Sequence, residues 1–196
     1  MGLVLWPDIW GLRPLFDEHA RRLADDHGFS VCVPEIYPGD ESLGPEERHA
    51  TTARFVDDAK LADSLAAADA TESDRVGIMG FCMGGMYALK AVACGRFVRH
   101  VSFYGMARVP AGWAGPGQRD ALDLVAEGDA SSVLYLVGTQ DPWCPEPDVA
   151  ALGDLGVNVV RYRGADHAFA QDSSRDTYRP VDAADAWSRA VAFLLG

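Results

Sequence analysis

Apolar residues along this chain gather in short runs separated by longer amphipathic stretches. The runs cover residues 2–6, 29–33, 75–80, 98–104, 132–138 and 157–162, most of them bounded by Gly, Pro or Asp. Runs of this length with breakers at their ends predict strands, and mostly apolar runs predict strands covered on both faces. Helical spacing fills the gaps over 14–27, 45–70, from Cys82 to about Gly95, 145–155 and 181–195. In the first of these, Leu15, Phe16, His19 and Leu23 recur on one face, Pro14 suits a first turn and Gly28 suits a C-cap. Six strands alternating with helices predict an α/β fold, a mostly parallel sheet with helices on both faces. Nothing resembling a repeat or linker divides the chain, so 1–196 reads as one domain. The Gly- and Pro-rich segment 105–117 is longer than a simple connection needs and is expected to serve function.

Composition narrows the partners. The 196 residues carry a net charge of −12, which argues against nucleic acid and against anionic membrane surfaces. No stretch approaches the ~20 apolar residues of a membrane span, and the first residues lack the basic region of a secretory signal. Four cysteines, Cys32, Cys82, Cys94 and Cys144, show neither C-x-x-C spacing nor zinc-type histidine spacing, so no metal is expected. Cys32 and Cys94 read as core thiols. A reduced, cytoplasmic setting follows. A monomer and a homodimer are both compatible with the sequence.

The chemistry concentrates at Gly80-Phe81-Cys82-Met83-Gly84-Gly85, where a predicted strand turns into a predicted helix. A nucleophile held on such a sharp turn projects above the sheet, and the N–H groups that open the helix point at it. The competing reading is a small buried Cys in a Gly-rich turn. A thiol nucleophile needs a base, and the base needs an orienting acid. Active-site groups of parallel sheets collect at the C-terminal strand ends. Asp141 follows the run 132–138 and His167 follows 157–162, in the order nucleophile, acid, histidine. Together these positions favour a triad of Cys82, His167 and Asp141, with Asp166 as the rival acid. His19, His27, His49 and His100 fall on helices or a strand start instead. The two N–H groups of an oxyanion hole are expected from Met83 and from Ile9, in the loop after the first strand.

These residues resemble the dienelactone hydrolase family of α/β-hydrolases over nearly the whole chain. The resemblance rests on Pro7-Asp8-Ile9-Trp10-Gly11-Leu12, Pro34-Glu35-Ile36-Tyr37, the Cys82 hexapeptide, Gly138-Thr139-Gln140-Asp141 and Gly164-Ala165-Asp166-His167-Ala168-Phe169. It implies the α/β-hydrolase fold, shortened or replaced before the first strand, and a hydrolase without cofactor or metal. It further implies that a Cys-His-Asp triad opens an enol lactone through a thioester and yields maleylacetate. By the same resemblance Asp8 is a modulating acid beside the thiol, where the familiar residue is Glu; the alternative is that Asp8 caps the following turn. Gln171 stands where a carboxylate-binding Arg is expected, and Arg48 lies near a second such position.

Trp10, Tyr104, Trp143 and Phe169, with Trp6 and Trp113, are aromatic candidates for a pocket wall, while Arg13, Arg175 and Arg179 are basic residues able to approach it. The small-molecule partner is accordingly a lactone or ester. The missing Arg at Gln171 leaves open a broader carboxylesterase or thioesterase acting on neutral esters. A non-catalytic binding module of the same fold is a further alternative. A redox role for Cys82 would need Cys144 as the resolving thiol.

Overall fold

Strands β1 (Gly2–Trp6), β2 (Ser30–Cys32), β3 (Val76–Phe81), β4 (Arg99–Phe103), β5 (Val133–Gly138) and β6 (Asn158–Tyr162) form one sheet in a computed structural model that describes residues 1–196. Their order is β2-β1-β3-β4-β5-β6, and every neighbouring pair is parallel. Parallel neighbours require crossovers, which the helices α1 (Pro14–His27), α2 (Pro45–Thr51), α3 (Asp57–Ala70), α4 (Met83–Lys90), α5 (Ala121–Ala126), α6 (Glu146–Asp154) and α7 (Pro180–Leu195) help to supply. No helix is long and apolar enough to cross a membrane.

Alternation along β3 assigns helices to faces. A methyl group on Gly77 would meet Leu194 of α7 at 2.7 Å, and the Phe81 ring packs on Trp187 of α7 and His19 of α1. Gly80 has the opposite parity and lies against Gly84 of α4. Its neighbour on β1, Trp6, packs on Tyr87 of α4 and donates to Ser64 of α3. Thus α1 and α7 cover one face, and α3 and α4 the other. The chain reverses direction across the sheet between β1 and β3, which opens a crevice beyond their C-terminal ends. Asp8 and Cys82 follow those two strands.

Four expectations change. The helix expected over 45–70 is two helices, because Thr52–Arg54 tightens into a 3-10 turn and Phe55 and Val56 are extended. The Thr52 hydroxyl donates to the His49 carbonyl at 2.7 Å, the local competition that makes Thr a poor helix interior. The Asp57 N–H, at the start of α3, donates instead to Gly117 at 2.9 Å, so the 105–117 segment supports the break. The short helix α5 was not foreseen, and the helix after Cys82 gives way to a 3-10 turn at Ala91–Cys94. Cys32 and Cys94 are half-buried rather than core.

Two buried histidines make the fold sensitive to acid. Burial pushes His19 and His100 down to about 4. His19 bonds the Gln171 carbonyl at 2.9 Å and His100 the Ser132 hydroxyl at 3.0 Å, so both ring partners suit a neutral imidazole. In the unfolded chain each titrates near ~6.5, so the unfolded state binds the extra protons. Stability is therefore full above that value and falls as pH drops toward 4. A urea midpoint at about pH 5 is expected to lie clearly below that at about pH 7.5. Equal midpoints would contradict the neutral burial of these rings.

Candidate active site

The turn between β3 and α4 holds Cys82 at φ 55° and ψ −117°, a backbone conformation that costs about 1–3 kcal/mol in a residue other than Gly. Close contacts enforce it. A methyl on Gly80 would lie 2.2 Å from the Gly84 carbonyl oxygen, and one on Gly84 would lie 2.3 Å from the Pro7 carbonyl oxygen. Only glycines allow α4 to start this close to the exit of β1. The half-buried thiol consequently faces the crevice at the helix N-terminus.

His167 arrives from the loop after β6. Its Nδ1–H donates to Asp141 Oδ2 at 2.7 Å, since an ionised carboxylate only accepts. The Trp143 N–H fixes the other Asp141 oxygen at 2.8 Å. Asp166 accepts instead from the backbone N–H of His167 at 2.6 Å, so it shapes the turn and does not orient the ring. His167 Nε2 is buried and has no hydrogen-bond partner. Burial opposes charge on this imidazole, but the charge that Cys82 carries once ionised and the bond to Asp141 outweigh it and hold His167 well above the ordinary histidine range. Behind the ring sits Cys144, whose thiol burial pushes up to about 11 and which donates to the Tyr104 carbonyl at 3.4 Å. The donor atoms of Asp141, Cys144 and His167 all lie within 4.8 Å of one another. Two of them are already bonded to each other and the third keeps its proton, which suits a packed triad better than a metal site.

Met83 opens α4, so its N–H has no partner within the helix. The Ile9 N–H, in the loop after β1, donates to no protein acceptor. Asp8 does not hold the thiol as expected. Its oxygens accept from both Arg13 guanidinium nitrogens (2.6 and 2.9 Å), from the Trp10 N–H (3.0 Å) and from the Gln171 amide. The capping alternative describes its bond to Trp10.

A cavity of about 150 Å³ opens above Cys82. Of the expected substrate contacts, Trp10, Trp143 and Gln171 line it. Arg48, Tyr104 and Phe169 do not. The Arg48 guanidinium is committed to the carbonyls of Trp10, Glu41 and Leu43 at 2.6–2.8 Å and stacks on Tyr37. Tyr104 is fully buried, donating to Gln171 Oε1 at 2.8 Å, and Phe169 packs between Tyr104 and Tyr162. Trp6 belongs to the core, Arg13 pairs with Asp8 and Arg179 with Asp182. Trp113 from the 105–117 segment stacks on Trp143 with ring centroids 5.6 Å apart and joins the wall, as does Arg175. His49 and Ala168 line the cavity without having been singled out. The Thr51-Thr52 pair was the available signal for His49, because a helix ending there turns it toward the crevice.

The sheet order, the elbow at Cys82 and the strand-end positions of Asp141 and His167 define an α/β-hydrolase fold. The sequence profile of the dienelactone hydrolase family matches residues 1–195. A Bradyrhizobium protein named "Probable 2-oxo-3-(5-oxofuran-2-ylidene)propanoate lactonase" is 30% identical over 98% of this chain and 82% of its own length. The carboxymethylenebutenolidase of Pseudomonas putida is 26% identical over 98% of this chain and 84% of its own. A solved structure from Klebsiella pneumoniae subsp. pneumoniae, provisionally named a dienelactone hydrolase, superposes with a TM-score of 0.84 at 25% identity, covering 99% of this chain and 86% of its own. The chain belongs to the dienelactone hydrolase family, and with it to the carboxylic ester hydrolases.

Proposed function

We propose that this hydrolase opens a small conjugated lactone bearing a carboxylate by covalent catalysis at Cys82. The observation that carries the reading is the imidazole of His167, bonded through Nδ1 to Asp141 while Nε2 is buried and unpartnered beside the elbow. His167 Nε2 takes the thiol proton, and the sulfur attacks the lactone carbonyl. The Met83 and Ile9 N–H groups receive the developing oxyanion, each worth about 3 kcal/mol in comparable sites. Collapse breaks the ring C–O bond, and His167 passes its proton to the released enolate oxygen, which stays joined to the acyl chain now held on sulfur as a thioester. Water then gives a proton to His167 and its oxygen to the thioester carbonyl, releasing the acid and restoring the thiol. Asp141 keeps the ring in the tautomer that both steps need.

The walls support the substrate class. A cavity of about 150 Å³ suits a compact substrate, and the stacked Trp113–Trp143 pair suits a flat one. Arg175 meets only Asp172, at 3.9 Å, and its side chain is 35% exposed, so its guanidinium is available to an anion. The Trp113 indole N–H donates to His49 Nδ1 at 3.3 Å, which leaves the His49 proton on Nε2 as a second donor. A neutral ester is the second reading, favoured by Gln171 where the resemblance expects Arg.

Rates on a carboxylate-bearing dienelactone and on p-nitrophenyl acetate separate the two. The lactone is expected to have the higher kcat/KM. His49→Leu is expected to raise KM about 10-fold for the lactone, the loss of a hydrogen bond to a charged group, with little change for the acetate. Equal preference and an unmoved KM would favour the neutral ester.

A further inference from the structure

Asp8 and Gln171 are buried in the cavity wall, yet neither enters the reaction just described. An ionised carboxylate offers about four lone-pair sites. Asp8 meets four donors: Arg13 Nη1 and the Trp10 N–H on Oδ1, Arg13 Nη2 and the Gln171 amide on Oδ2. It is saturated and has no site left for the Cys82 thiol. Gln171 is fixed from its other side as well. Tyr104 donates to its Oε1, which turns the amide nitrogen toward Asp8, and its main-chain carbonyl bonds His19. The positions of the two residues give this bond its meaning. Asp8 directly precedes Ile9, whose N–H is free, and Gln171 lies four residues beyond His167 on the same loop. Two further atoms of the Ile9 loop are also held, the Trp10 carbonyl by Arg48 at 2.7 Å and the Leu12 N–H by Glu35 at 3.0 Å.

We propose that Gln171 is a positioning residue: its amide ties the loop carrying the Ile9 N–H to the loop carrying His167, so that oxyanion donor and base keep one geometry about Cys82. The inference rests on the reading that Cys82 attacks a carbonyl. Oxyanion stabilisation acts in the transition state, so the tie affects kcat far more than KM.

Gln171→Leu keeps the bulk and removes the bond. Its kcat on the better of the two substrates above is expected to fall about 10- to 100-fold, somewhat less than loss of an oxyanion donor itself, with KM within about 3-fold. Gln171→Glu adds a readout that packing alone would not move. The introduced carboxyl can donate to ionised Asp8 only when protonated, so the ratio of variant to wild-type kcat is expected to fall as pH rises. Amide hydrogen exchange over residues 7–12 is expected to quicken in Gln171→Leu, a measurement that needs no turnover. Unchanged exchange in that variant overturns the inference, as does wild-type kcat in Gln171→Leu or a ratio independent of pH in Gln171→Glu. If wild type cleaves neither substrate while exchange still quickens, the tie stands and the proposed reaction fails.

Discussion

Cys82→Ala is expected to lose turnover by about 10⁴-fold or more on every ester or lactone the wild type cleaves. No other group in the cavity replaces the sulfur. Asp8 is saturated, Cys144 lies behind the imidazole with its thiol pushed up to about 11, and His167 has no second acid to work with. The fold should be retained, because the strain at φ 55° belongs to the turn and Ala meets the same backbone there. Burst kinetics sharpen the experiment. Wild type should release one equivalent of p-nitrophenol ahead of steady state when thioester hydrolysis is slower, and Cys82→Ala should show no burst. A variant that retains wild-type turnover with an unchanged melting temperature would remove Cys82 from the mechanism and leave His167 acting directly on water.

The largest effect on stability is expected from the buried ion pair of Lys90 and Asp57. Lys90 Nζ lies 2.6 Å from Asp57 Oδ1, and the Lys90 side chain is fully buried at the end of α4. The other Asp57 oxygen accepts the Arg119 N–H at 2.8 Å. One carboxylate thereby joins the start of α3, the end of α4 and the segment that carries Trp113 into the cavity. Burial pulls Lys90 below its ordinary range, against the pull of Asp57. Lys90→Met strands a buried carboxylate, and a loss of about 3–5 kcal/mol in urea unfolding is expected. Lys90→Met with Asp57→Leu should cost less than Lys90→Met alone, because the apolar pair leaves no buried charge. A double variant as unstable as the sum of the two singles would show that the pair does not couple as its geometry implies.

Much of this molecule is legible in its sequence. Six apolar runs gave six parallel strands, because strands covered on both faces are built mostly of apolar residues. The elbow was legible because Gly80 and Gly84 flank Cys82, and a turn this tight excludes any side chain at both positions. Asp141 and His167 followed from strand ends and chain order alone. What failed was local chemistry that depends on distant partners. Arg48 looked like a substrate anchor, but its guanidinium is held by three carbonyls from loops that only folding brings together. Tyr104 and Phe169 sit near strand ends, where aromatic residues serve core and pocket alike, and here packing against Gln171 and Tyr162 took them inside.

Asp8 shows the division most clearly. Its place after β1, beside the predicted oxyanion donor, could be read directly, because strand order and loop position are properties of the chain. Its partner could not. Whether that carboxylate meets the thiol or is saturated by Arg13 and Gln171 depends on residue 171, which lies 163 positions away and reaches it only across the folded sheet. Sequence by itself determined the sheet, the turn and the order of Cys82, Asp141 and His167, since short-range sterics and periodicity act within each segment. The tertiary structure alone decided which polar groups are already bonded, because hydrogen-bond partners are assigned by three-dimensional proximity, and those assignments leave His167 Nε2 without a partner in the wall of the cavity that Cys82 also lines.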